Sequence, residues 1–138
     1  MPRAYVNTGS NIGDREGNIA RAVTAISALS VDSVMVSDSY ESEPWGYISA
    51  NTYINKGVSF DTLLGPEELL AALLTVQNEI NPASHRREDG SYMDRVIDID
   101  LIAYEGVSID SPTLTLPHPR AAQRQFVMLP LLQTLLPL

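Results

Sequence analysis

Apolar and polar side chains alternate with a period of two over four stretches of the chain. This alternation is typical of strands that bury one face, because successive side chains of a strand point to opposite sides of the sheet. It predicts strands at Arg3–Thr8, Val31–Tyr40, Tyr53–Phe60 and Val96–Tyr104.

Apolar residues at helical spacing predict two helices between these strands. The first is expected over Asn18–Leu29, and the second begins after Gly65 and ends at Pro82, since proline cannot continue a helix. A long, polar and mobile loop over Ala83–Met93, an extended segment over Ile109–Leu116 and a last helix within Arg124–Leu136 complete the expected elements.

The order of the main elements is strand, helix, strand, strand, helix, strand. That order is typical of a ferredoxin-like α+β unit, in which helices pack on an antiparallel sheet. A doubly wound α/β sheet is disfavoured because two strands follow each other without a helix between them. With 138 residues and a hydrophobic fraction of 44%, we expect one domain, residues 1–138, around a single core.

Charge and composition narrow the function classes. The formal net charge of −8 disfavours nucleic-acid binding, which needs a basic surface, and the lack of cysteine excludes disulfides and thiol catalysis. The first residues lack the apolar core of a signal peptide, and the apolar stretch from Phe126 is too short to span a bilayer. We therefore expect a cytoplasmic protein without nucleic-acid or membrane partners, acting as a monomer or weak homodimer.

The most informative segment is the fourth strand, because it carries two acidic side chains on one face. Asp98 and Asp100 lie roughly 6–7 Å apart along a strand, with apolar side chains pointing to the other face. Mg²⁺ is commonly held by one or two carboxylates together with substrate phosphates, so the pair is a candidate metal site. Arg95 adds a group that can bind phosphate. The alternative is a solvated acidic strand face.

Other candidate binding residues are aromatic, amide and basic side chains. Tyr53 and Asn55 share a strand face on which a flat heterocycle can stack and form hydrogen bonds, unless a loop covers that face. His118 is held between two prolines, and Arg124 and Phe126 follow it closely, although a lone histidine and a phenylalanine are commonly structural. The arginines concentrate late in the chain, which favours a small anionic ligand over a polymer.

Taken together and in order, these motifs resemble the 6-hydroxymethyl-7,8-dihydropterin pyrophosphokinases (HPPK). The resemblance covers nearly the whole chain, and its most specific part is the segment from Arg95 to Asp100 followed by proline-histidine. The segments that carry it are Gly9-Ser10-Asn11, Pro44-Trp45-Gly46, Tyr53-Ile54-Asn55, Arg95-Val96-Ile97-Asp98-Ile99-Asp100, Leu116-Pro117-His118-Pro119-Arg120 and Arg124-Gln125-Phe126.

The resemblance implies a ferredoxin-like fold and the transfer of a pyrophosphoryl group from ATP to a reduced pterin in folate biosynthesis. Asp98 and Asp100 would hold two Mg²⁺ ions, and the catalytic group would also include Arg95 and the loop residues Arg86 and Arg87. Which of the two loop arginines contacts phosphate is left open. The implied pterin contacts are Ser42, Trp45, Gly46, Tyr53, Asn55 and Phe126, and the implied ATP contacts are Gln77, Arg95, Leu101, Thr115, His118 and Arg124.

The sequence also departs from the family pattern. Gln77 stands where glutamate is usual, and Asn81-Pro82 replaces a common glycine-arginine pair. We expect these departures to affect the affinity for ATP and the motion of the loop, and to leave the acidic pair intact. Two alternatives to the enzyme are a non-catalytic nucleotide- or pterin-binding module on the same fold and an RNA-binding sheet. The acidic balance disfavours the second.

Overall fold

The structure is a computed structural model, which describes residues 2–43, 51–81, 96–119 and 134. Seven strands and two helices are found in these ranges. In chain order they are β1 (Arg3–Ser10), α1 (Arg15–Ser27), β2 (Val34–Val36), β3 (Tyr40–Ser42), β4 (Tyr53–Asp61), α2 (Pro66–Ile80), β5 (Asp98–Tyr104), β6 (Ile109–Asp110) and β7 (Thr115–Leu116).

The main sheet has the strand order β2-β4-β1-β5, and β3 pairs with the other end of β4. All of its pairings are antiparallel. β1 pairs with β4 on one side and with β5 on the other, so it lies between them. A separate hairpin joins β6 and β7. This arrangement confirms the prediction of an antiparallel α+β fold.

The two helices pack on one face of the sheet because β1, β4 and β5 present their buried apolar residues there. α1 contacts β1 and β4, while α2 contacts β5 and α1. The fully buried side chains of this layer include Val6, Val58 and Phe60 from the sheet and Ile19, Ile26, Leu69 and Leu73 from the helices.

The opposite side of the sheet carries mainly polar residues, and we call it the polar face. It is formed by the strand positions that alternate with the core positions: Tyr5, Asn7 and Gly9 of β1, Tyr53, Asn55 and Gly57 of β4, and Asp98 and Asp100 of β5. The apolar side chains between the two aspartates and on either side of them are buried, as the alternation predicts.

Capping residues set the starts of both helices. Asp14 accepts a hydrogen bond from the Gly17 amide, so α1 begins three residues earlier than its apolar spacing predicts. The Glu68 carboxylate accepts from the Gly65 amide at 3.2 Å, and Pro66 occupies the first turn of α2 as expected. Neither described helix combines the length and hydropathy that a bilayer crossing needs.

Three predicted elements need correction. β1 continues through Gly9 and Ser10, which pair with β4, so the strand-to-helix turn begins later than expected. The strand expected over Val31–Tyr40 is divided into β2 and β3, since Ser37 bonds with Gly57 between them through its main chain and hydroxyl. The extended segment before His118 contains the two strands of a hairpin.

Two further predictions concern residues that the structure describes only in small part or not at all. The predicted polar loop over residues 83–93 lies wholly outside the described residues. Of the last predicted helix only Thr134 is described, and it is helical and buried.

Candidate active site

Strand register brings the predicted pterin and metal residues into one row across the polar face. Gly9 of β1 pairs with Asn55 of β4 on one side and with Asp98 of β5 on the other. Neighbouring strands lie about 4.8 Å apart, so Asn55 and Asp98 are separated by about 10 Å across a glycine. Because glycine has no side chain, the space above Gly9 is open between the Asn55 amide and the Asp98 carboxylate.

A second row lies one step along the same strands. Asn7 pairs with Gly57 on β4 and with Asp100 on β5. Asn7 is only 4% exposed, and its Oδ1 is the one buried side-chain nitrogen or oxygen without a hydrogen-bond partner in the part of the chain that the structure describes. A buried acceptor left without a donor costs free energy, so this oxygen beside Asp100 is an unsatisfied group in the absence of ligands.

These oxygens suit a hard cation. Asp98 and Asp100 are half-buried side chains on one face of β5, and the amide oxygen of Asn7 belongs to the next strand. Among the residues in the described ranges, no group of three His, Cys, Asp or Glu side chains could hold a metal ion by itself. Two carboxylates are nevertheless the protein ligands expected where substrate phosphates complete the coordination of Mg²⁺.

β5 is the last strand in the sheet order, and two residues predicted to contact ATP cover its outer edge. Gln77 of α2 accepts a hydrogen bond from the Ile99 amide through Oε1 at 2.8 Å. The main-chain amide of His118 donates to the carbonyl of Ile102 at 2.7 Å. Ile102 is the extra residue of a β-bulge, since its neighbours pair with consecutive residues of β1.

The amide of Asn55 is held in a fixed orientation. Its Nδ2 donates to Ser42 Oγ at 2.8 Å and to the Tyr40 carbonyl at 3.1 Å, and the residue is 2% exposed. Both hydrogens of the amide are used, and no described residue donates to its Oδ1. Asn55 can therefore act towards a ligand as an acceptor, while Ser42 can act as a donor through its hydroxyl hydrogen.

Gly9 is needed at the centre of the first row because of its neighbours. A Cβ added there would lie 3.1 Å from Asn55 Oδ1 and 3.3 Å from Tyr53 Cδ1. Those distances are tighter than ordinary carbon contacts, and Asn55 cannot easily move because two hydrogen bonds hold it. Glycine thus allows the aromatic ring and the amide to lie close above β1.

The loops at the end of this site are tied down by polar side chains. Asn11 Nδ2 donates to the Asn51 carbonyl, and Arg15 bonds both the carbonyl and the hydroxyl of Thr52 at 3.0 Å. Thr52 directly precedes Tyr53, so the start of β4 is anchored to the turn after β1 and to α1. These contacts give Asn11 and Arg15 a structural role.

Two predicted ATP contacts have different surroundings. Leu101 is buried in the core between the sheet and the helices, so only its main chain is left to meet a ligand. Thr115 begins β7, where it pairs with Asp110 and is half-buried. The remaining predicted site residues lie outside the described residues: Trp45, Gly46, Arg86, Arg87, Arg95, Arg124 and Phe126.

Comparisons with known proteins decide the family. The model of the 7,8-dihydro-6-hydroxymethylpterin-pyrophosphokinase (HPPK) family matches residues 5–135. A 2-amino-4-hydroxy-6-hydroxymethyldihydropteridine pyrophosphokinase of Methylorubrum extorquens is 38% identical over 132 residues, which are 95% of this chain and 81% of that protein. The chain belongs to the HPPK family.

Two more comparisons agree with membership of the HPPK family. The pyrophosphokinase of the same name from Bacillus subtilis is 35% identical over 129 residues, covering 93% of this chain and 75% of that protein. A crystal structure of an HPPK-DHPS in complex with substrates matches with a TM-score of 0.63 and 12% identity. It covers 93% of this chain and 39% of that one, and at this identity it confirms the fold alone.

The family assignment made from the sequence is therefore confirmed, and HPPK enzymes use ATP as a co-substrate. Three features of the site were not predicted: the orphaned amide oxygen of Asn7, the bond from Ile99 to Gln77, and the position of Gly9 between Asn55 and Asp98. For Asn7 the sequence offers a partial signal, since its amide side chain falls on the polar side of the alternation in β1.

We expect Gly9→Ala to weaken pterin binding by crowding Asn55 and Tyr53. The dissociation constant for 6-hydroxymethyl-7,8-dihydropterin, measured by isothermal titration calorimetry, should rise at least tenfold, or about 1.4 kcal/mol. Gly65→Ala is the matched control, because this glycine lies at the start of α2, away from the polar face. An unchanged pterin affinity in Gly9→Ala would show that the tight contacts at Gly9 do not shape the pterin site.

Proposed function

We propose that this protein transfers the pyrophosphoryl group of ATP to the hydroxymethyl oxygen of 6-hydroxymethyl-7,8-dihydropterin and releases AMP, a step of folate biosynthesis. The observation that carries the proposal is the row formed by Asn55, Gly9 and Asp98. It places an amide that can bind a heterocycle about 10 Å from an acidic pair suited to a phosphate-bound cation. Membership of the HPPK family supplies the chemical identity of the substrates.

In the proposed reaction, the hydroxymethyl oxygen attacks the β-phosphorus of ATP. The bond between that phosphorus and the oxygen bridging the α- and β-phosphates breaks, AMP leaves, and the hydroxyl proton is lost. Phosphoryl transfer of this kind depends on positioning and charge neutralisation more than on covalent help from the protein.

The pterin would be held at the β3–β4 end of the row. Asn55 Oδ1 would accept a hydrogen bond from the edge of the ring, and Ser42, fixed by the same amide, would donate one. Tyr53 and Phe126 would stack on the ring, with Trp45 and Gly46 forming a wall. These contacts would hold the ring so that its hydroxymethyl group faces the phosphates. Holding the two reactants in this way lowers the barrier, because the reaction becomes effectively unimolecular.

Asp98 and Asp100 would hold two Mg²⁺ ions together with the phosphates of ATP. When bound, Mg²⁺ neutralises the charge of the triphosphate and stabilises the charge that develops on its oxygens. β5 presents both carboxylates on one face at the spacing of alternate strand residues, so they would meet the same phosphate-bound ions. Asn7 Oδ1 adds a neutral oxygen acceptor directly across from Asp100.

Basic residues would bind the phosphates. We assign Arg95, Arg124 and His118 to ATP, with Arg86 and Arg87 meeting the transferred group during the reaction. Gln77, Leu101 and Thr115 would lie near the nucleotide, Leu101 through its main chain. The main chain of His118 is already attached to β5 at Ile102, which would keep this imidazole at the same edge of the sheet as the carboxylates.

The wider setting of the protein remains a set of predictions: one domain over residues 1–138, a cytoplasmic location, a monomer or weak homodimer, and no nucleic-acid or membrane partner.

Asp98→Asn and Asp100→Asn should each lower AMP formation at least about 100-fold, the loss typical of removing a group that stabilises transition-state charge. Asparagine keeps the size of the side chain, so circular dichroism and thermal unfolding should stay close to wild type. AMP is measured by chromatography in reactions that contain ATP, Mg²⁺ and the hydroxymethylpterin. Control reactions omit each of the three in turn.

Asp32→Asn is the control for this pair, because Asp32 is exposed beyond the far end of the polar face. Near-normal AMP formation in either Asp98→Asn or Asp100→Asn would contradict the assignment of the acidic pair. Wild-type protein that binds pterin and ATP but releases no AMP would identify a binding module instead of an enzyme.

Replacing Arg86 and Arg87 with alanine should slow the transfer step and leave pterin binding nearly unchanged, because these residues are assigned to the phosphates. Rapid-quench single-turnover experiments give the transfer rate, calorimetry gives pterin affinity, and the two single variants show which arginine matters. Arg21→Ala on the exposed side of α1 is the control. A loss of pterin affinity with an unaltered transfer rate would disprove this assignment.

A further inference from the structure

Gln77 is a buried polar side chain on a helix whose other buried positions are apolar. It is 6% exposed, whereas its neighbours Asn78 and Glu79 are exposed to solvent. The remaining buried residues of α2 are Leu69, Leu73 and Val76. Burial of an amide is unfavourable unless it is hydrogen-bonded, so its partner indicates what the residue does.

One partner is the main chain of β5. Gln77 Oε1 accepts from the Ile99 amide at 2.8 Å, and both groups are buried. Ile99 lies between Asp98 and Asp100, so the bonded amide belongs to the peptide group that links Asp98 to Ile99, within the segment that connects the two proposed metal ligands.

The position of β5 explains why this bond is needed. β1 lies on one side of β5, and β5 is the last strand in the order of the sheet. Within the described residues no strand pairs with its outer side, so other groups must satisfy the amides there. Gln77 supplies the acceptor for the amide nearest the acidic pair, while its apolar neighbours on α2 pack against the same strand.

We propose that Gln77 is a positioning residue for the acidic pair, acting through the Ile99 amide. The bond fixes the main chain at Ile99, between the two aspartates, and thereby the direction in which both carboxylates point. This inference rests on the proposed function. It assigns to Gln77 a role within the protein, which differs from the direct contact with ATP that the sequence predicts.

The chemistry required at position 77 is a hydrogen-bond acceptor of the right reach, and a negative charge is not required. A glutamate in this place would keep the acceptor and the length. Methionine would keep the length and most of the volume but offers only a weak acceptor. The pair Gln77→Glu and Gln77→Met therefore separates the hydrogen bond from packing.

Three measurements test the proposal on the full chain. The first is amide hydrogen exchange of Ile99 by NMR, and the second is the affinity for Mg²⁺ with a non-hydrolysable ATP analogue by calorimetry. The third is the separation of kcat from KM for the pterin. In Gln77→Met, exchange at Ile99 should accelerate, and nucleotide affinity and kcat should each fall at least about tenfold, the loss typical of removing a group that orients a metal ligand.

The same proposal predicts little change elsewhere. In Gln77→Met, KM for the pterin should stay within about threefold of the wild-type value. In Gln77→Glu, the exchange protection of the Ile99 amide should be kept, and kcat should stay within about threefold of wild type. Asn78→Met makes a similar change on the exposed side of α2 and should behave like wild type. Ile26→Ala, in the core on α1, controls for a general loss of stability.

Any of three results would overturn the proposal: unchanged nucleotide affinity and kcat in Gln77→Met, a Gln77→Glu variant as impaired as Gln77→Met, or equal losses in Ile26→Ala. If Gln77→Met does not fold, exchange at Ile99 in the wild type and the activity of Gln77→Glu decide the question, and fast exchange or an impaired variant overturns it. Wild-type protein that forms no AMP would disprove the proposed function, while exchange and nucleotide binding would still report on Gln77.

Discussion

The pairing of β1 with both β4 and β5 is the constraint on which the site depends. Because β1 is central, its register fixes which residues of β4 and β5 lie opposite each other, and Gly9 is the residue that they share. A shift of one residue would turn every side chain to the other face and send Asp98 and Asp100 into the core. The apolar residues that pack under α1 and α2 oppose such a shift, so the same burial that stabilises the fold also keeps the two functional groups in line.

The position of β5 gives the site a second dependence. Among the described strands β5 is last in the sheet order, so its outer main-chain groups have no strand partner there and must be satisfied by other elements. Gln77 and His118 do this at Ile99 and Ile102, on either side of Asp100 along the strand. The packing of α2 and the geometry of the acidic pair are therefore coupled through hydrogen bonds to the main chain.

Local pattern was enough to predict much of this molecule. Alternation placed Asp98 and Asp100 on one face, and the order of elements gave the antiparallel α+β fold, because both depend on neighbours along the chain. Contacts between residues far apart in the sequence were harder to predict. The continuation of β1 through Gly9 depends on pairing with β4, and the bond between Gln77 and Ile99 joins residues that are 22 positions apart. The early start of α1 was accessible in principle, since Asp14 is a common capping residue.

A crystal structure with Mg²⁺, a non-hydrolysable ATP analogue and 6-hydroxymethyl-7,8-dihydropterin tests the central claim most directly. The account predicts that carboxylate oxygens of Asp98 and Asp100 lie about 2.0–2.1 Å from Mg²⁺, with phosphate oxygens completing the coordination. It also predicts the pterin above the Asn55 end of the row, with its hydroxymethyl group directed towards the β-phosphorus. Carboxylates that face solvent, away from any ion in the presence of bound nucleotide, would contradict it.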